Sequence, residues 1–103
     1  MTTGLEQPRT GPDHAIKVAK QTIPHKLAVA IQQALLRHDA CDLMAMGEAA
    51  TSRAAVAIAL ASGSLAAHAY AVSCRIYLTS TPSPNGDRPL RGVLFRLTRT
   101  ATP

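Results

Sequence analysis

At 103 residues the chain is long enough for one domain that buries most of its apolar side chains, and too short for two cores. Hydrophobic residues make up 47% of it but aromatics only 3%, so its core has to be packed from Ala, Val, Ile and Leu. The formal charge of +5 favours polyanions as partners, because each phosphate contacted by a lysine or arginine releases counterions.

No stretch reads as the run of about 20 apolar residues that spans a membrane, and the opening MTTGLEQPRTGPD lacks the charged-then-apolar order of a signal peptide. The expected location is therefore the cytoplasm. Cys41 and Cys74 stand far apart with no CxxC pair, which reads as two buried thiols rather than a disulfide or a metal site.

Residues 1–14 are polar, carry Gly4, Pro8, Gly11 and Pro12, and read as a mobile tail before a single domain over residues 15–100, with residues 101–103 frayed. From Ala15 to Lys20 the pattern alternates, with Ile16 and Val18 on one face and Lys17 on the other, and predicts a first strand. Thr22 is placed to cap the following helix and Pro24 suits its first turn, where amide protons have no helical partner. Leu27, Ile31, Ala34 and Leu35 then recur at helical spacing opposite Lys26, Gln33 and Arg37, and the helix ends near His38.

His38, Asp39, Cys41 and Asp42 are metal-ligand types in a short space, but their spacing matches no recurrent zinc pattern. They read as a solvated turn entering a second strand, Cys41 to Met46. A strand, helix, strand order of this length implies a parallel crossover.

The run LMAMGEAATSRAAVAIALASG, residues 43–63, organises the rest. Gly47 lets the backbone turn after the second strand, and a helix follows that has no clear polar stripe after Arg53. Such a helix is covered on more than one side, either by its own core or by a second copy of the chain. Gly63 is placed to end it as a left-handed cap. His68 beyond it has no Ser, Asp or second His arranged around it and reads as structural.

Tyr70 to Thr79 alternates Tyr70, Val72, Cys74, Ile76 and Leu78 against Ala71, Ser73, Arg75, Tyr77 and Thr79, a half-buried strand. Residues 80–89 are rich in turn formers, and Asn85-Gly86 suits a tight reversal. Leu90 to Arg99 returns as a strand with Val93, Phe95 and Leu97 inward and Arg96 outward. The predicted fold is α/β, a two-layer sandwich in the order β-α-β-α-β-β. A four-stranded mixed sheet carries both helices on one face.

From Ile16 to about Ala66 the chain resembles the stage V sporulation protein S family, small bacterial proteins related in fold to the archaeal chromatin protein Alba. The resemblance is carried by Ile16-Lys17-Val18, Pro24, Ala45-Met46-Gly47, Ala57-Ile58-Ala59 and Gly63. It implies an Alba-like sandwich, homodimerisation, and nucleic-acid binding by a basic face. Lys20 falls in the loop where that group meets the nucleic-acid backbone, and the last hairpin would bring Arg88 and Arg91 forward. Glu48 stands where the family tends to have a small residue, and Arg53 replaces a neutral polar one.

These lines lead to a dimeric binder of DNA or RNA in which Lys17, Lys20, Lys26, Arg53, Arg88 and Arg91 contact phosphates with low sequence preference. Regulation of sporulation or gene expression is the role implied by the resemblance. The dimer is expected through the Ala49 to Ala61 helix. Tyr70, Tyr77 and Phe95 read as structural, which argues against single-strand stacking. The alternative is a regulatory protein-protein interaction module without nucleic-acid binding. Without paired carboxylates, a Gly-rich phosphate loop or a nucleophile beside a base, no enzyme, cofactor or metal is expected.

Overall fold

A computed structural model describes residues 15–81, 88 and 90–101; the tail at 1–14, the Asn85-Gly86 reversal and the last two residues lie outside the described residues. The elements are β1 (Ile16–Val18), α1 (Pro24–His38), β2 (Ala40–Met46), α2 (Glu48–Ala66), β3 (Tyr70–Thr81) and β4 (Leu90–Ala101). The sheet order is β1-β2-β4-β3, with β1 parallel to β2 and the other neighbours antiparallel. This is the predicted mixed sheet.

Side chains alternate across a strand, so one face of the sheet gathers Val18, Cys41, Leu43, Ala45, Phe95 and Leu97. Leu27, Ala28, Ile31 and Leu35 of α1 and Ala50, Ala54, Ala57, Ala61 and Leu65 of α2 close onto the same cluster. Both helices therefore share one face. The α2 contribution is a single stripe of alanines ending in Leu65, and small side chains there let the helix backbone approach the sheet closely.

Several boundaries differ from the sequence pattern. β1 is only three residues, because the Ala19 amide turns to donate to Thr22 Oγ1 at 2.8 Å. Thr22 is thus committed to the turn and does not cap α1, whose N-cap is Ile23 with Pro24 directly after it. At the other end Asp39 takes φ 67 and its amide donates to Leu35 O at 3.1 Å, a left-handed stop without glycine.

Gly47, at φ 90, makes the strand-to-helix turn as predicted. Gly63 does not end α2. The helix runs on to Ala66 because Leu65 continues the buried stripe, and the left-handed residue of the exit is Ala69, at φ 66. Ala101 likewise does not fray but pairs with Tyr70.

α2 is long and apolar enough, by length and composition, to cross a membrane, contrary to the expectation that no stretch is. Its alanine stripe packs on the sheet instead, and Val56 on its far side is 48% exposed. The strand β3 is on the predicted face but is only partly covered. Ile76 is 65% and Leu78 73% exposed, and Cys74 is exposed rather than buried, because the helices do not extend over this part of the edge strand.

A Cβ at Gly63 would meet nothing within 4 Å, and a glycine in a helix interior costs about 0.5–1 kcal/mol relative to alanine. Gly63→Ala is therefore expected to raise the unfolding free energy by about that much in urea titration. A loss of stability would mean that the helix ends at Gly63 after all.

Candidate nucleic-acid interface

Val18, Ala45, Val93 and Leu78 stand side by side across the four strands. Two residues further on lie Lys20 after β1, Gly47 after β2 and Ser80 in β3, with Arg91 beside Ser80 at the start of β4. Lys26 is in the first turn of α1, which leaves from this end, and Arg88 precedes β4 by two residues. Arg53, on the second turn of α2, donates from Nε to the Lys20 carbonyl and ties the loop after β1 to the helix.

The topology thus brings Lys20, Lys26, Arg53, Arg88 and Arg91 to one end of the sheet. Lys20, Lys26, Arg88 and Arg91 are exposed, and Arg53 is half-buried by its tie. Lys17 is near the same end but on the sheet face away from the helices, since it alternates with buried Val18. It does not join the other five on their side.

The acids decide where positive charge is left over. Arg96 grips Asp42 with two hydrogen bonds, Nε to Oδ1 at 3.0 Å and Nη2 to Oδ2 at 2.9 Å, and this bond raises the guanidinium pKa further. Asp42 is 5% exposed, so it is a buried ion-pair member and not part of a solvated turn. Asp39 accepts from Arg99 Nη2, while Arg99 Nε donates to Leu35 O at 2.7 Å and its guanidinium lies 4.4 Å from the Tyr70 ring centroid. Both acids of the supposed metal turn are therefore held by arginines. The third acid among the described residues, Glu48, sits in the first turn of α2.

Glu48 and Arg91 share a cleft of about 600 Å³ with Gly47, Thr51, Ser52, Leu78, Gly92 and Val93. Thr51 Oγ1 turns back to donate to Gly47 O at 2.8 Å. The cleft is apolar along Leu78 and Val93 and charged at its rim. The Glu48 carboxylate makes the helix start a poor anion seat.

Arg75 and Tyr77 lie on the opposite face of the sheet, where their place in the period-two pattern put them, and among the described residues no helix packs on that side.

With its strand order and both helices on one side, the molecule is a two-layer α/β sandwich carrying a basic end. The chain belongs to the Stage V sporulation protein S (SpoVS) family, whose model matches residues 14–85, from just before β1 through β3. Membership implies a sporulation-related role. A comparison with curated proteins gives no match.

Burial, helped by the nearby Asp42 charge, pushes the Cys41 thiol up to about 11 from 9.0, and burial also raises Cys74. Since the unfolded Cys41 thiol ionises first, its contribution to stability is complete below pH 9 and is lost between 9 and about 11. Iodoacetamide in mildly alkaline buffer is expected to modify Cys74 and spare Cys41 until the protein unfolds, read by mass spectrometry. Equal labelling of both in the folded protein contradicts this burial.

Proposed function

We propose that the protein is a small homodimeric nucleic-acid-binding protein that holds DNA or RNA through phosphates, with low sequence preference, in the service of sporulation or gene expression. It binds and does not catalyse, and it works in the cytoplasm. The observation that supports this reading is the set of exposed cations at one end of the sheet, from the loop after β1, the first turn of α1 and the entry to β4. Lys20, Lys26, Arg88 and Arg91 face one acid there among the described residues, Glu48. Lys17 adds a charge around the sheet edge, and Arg53 holds the Lys20 loop in place.

Lysines and arginines without a base-reading element contact backbone oxygens, which gives affinity that falls steeply with salt. Lys20→Glu with Arg91→Glu is expected to weaken binding to random duplex by about tenfold or more and to flatten the logarithmic salt slope by about two. Both side chains are exposed, so thermal stability should barely move. Parental affinity in the double variant overturns the reading.

The dimer rests on the apolar surface beside α2, where Val56 is 48%, Ile76 65% and Leu78 73% exposed. Ala49, Ala55 and Ala59 extend it along the Ala49 to Ala61 helix. A second copy of the chain covers this surface. The same surface favours the second reading, a protein-protein interaction module without nucleic-acid binding. Parent protein at micromolar concentration is expected to sediment as a dimer and Leu78→Arg as a monomer. A monomeric parent removes the dimer, and no duplex binding even in dilute salt favours the module.

A further inference from the structure

The sheet face away from the helices carries a second pattern that the basic end does not use. Lys17, Met44, Leu94 and Tyr77 stand in one row across all four strands, and Asp42, Arg96 and Arg75 stand in the next. Leu94 is buried at 2% exposure, Tyr77 is half-buried, and Lys17 and Arg75 are exposed.

The charge on this face is unequal. Asp42 is the one acid of the two rows and is joined to Arg96, so two charges are left over: that of Arg75, in the row beside Tyr77, and that of Lys17, at the opposite end of the Tyr77 row. An aromatic ring at the end of an apolar row, with one cation beside it and another at the row's far end, is the composition of a single-strand platform: the ring stacks on a base and the cations meet phosphates along the strand. A duplex cannot use the ring, because its bases are already stacked on one another.

The geometry points to this face as a binding surface for single-stranded nucleic acid, with one base stacked on Tyr77, the neighbouring phosphate at Arg75, and the strand running along the row over Leu94 and Met44 to a further phosphate at Lys17. Lys17 is shared with the basic end, but Tyr77 and Arg75 are not, so variants at those two positions can fail without the duplex reading failing, and the reverse.

Tyr70 and Tyr77 are the chain's two tyrosines and it has no tryptophan, so Tyr77 can be watched alone. Tyr70→Phe leaves a ring beneath Arg99 and makes Tyr77 the sole tyrosine emitter. Titrating that protein with oligo-uridine and with oligo-thymidine is expected to quench its fluorescence, the two arms telling RNA from DNA. Tyr77→Ala is expected to weaken single-strand binding by about tenfold while leaving duplex binding at the parental level. Tyr77→Phe should bind as the parent does, since stacking needs the ring and not the hydroxyl.

Arg75→Glu, at an exposed position, should weaken single-strand binding several-fold and serves if Tyr77→Ala fails to fold. Unchanged fluorescence with both oligonucleotides, or parental single-strand affinity in Arg75→Glu, overturns the proposal. A change of sedimentation in Tyr77→Ala or Arg75→Glu also overturns it, by assigning the face to a second copy of the chain.

Discussion

The bidentate bond between Arg96 and Asp42 fixes how β4 lies against β2, and most of the molecule follows from that register. A slip of one residue would part the pair and would also turn Phe95 and Leu97 away from the helices, since side chains alternate with period two. Asp42 is buried, so its charge would be left without the guanidinium it needs in a poorly solvated place. With the register held, the start of β4 falls beside the end of β2. Arg91 then reaches the same end of the sheet as Lys20, although it lies 71 residues further along the chain.

The alanine stripe of α2 sets the second constraint. Ala50, Ala54, Ala57 and Ala61 are all at most 1% exposed, so the helix backbone rests close to the sheet. A helix seated so closely covers the centre and leaves the edge strand bare at Ile76 and Leu78. That bare surface is what a second copy would cover. The same close packing brings Arg53 within reach of the loop after β1, so the basic end is held in shape by a side chain that also belongs to it.

The order of elements was legible in the sequence because periods of two and 3.6 are local. Tyr70 to Thr79 showed its alternation without help from any other segment, and so did Leu27 to Leu35. Gly63 was misread because a glycine stops a helix only where nothing beyond it needs burying, and Leu65 does. Asp42 was misread because its partner is 54 residues away, beyond any local rule. The exposure of Cys74, Ile76 and Leu78 was hidden for a related reason: alternation names the face of a strand but not how far the helices extend over it. Of the candidate site, the joining of Lys20 with Arg91 followed from topology alone. The separation of Lys17 from them is a matter of sheet face, and the residue's place beside Val18 already held that information.

The end of the sheet where β1 and β2 finish and β4 begins is the proposed meeting place for polyanions. Backbone amide shifts measured by nuclear magnetic resonance, with and without a random duplex, test it most directly. Binding there is expected to displace the signals around Lys20, Lys26, Gly47 to Arg53 and Arg91 and to leave Arg37 to Cys41 and His68, at the far end, unmoved. Displacement confined to that far end, or none at all at low salt, would contradict it.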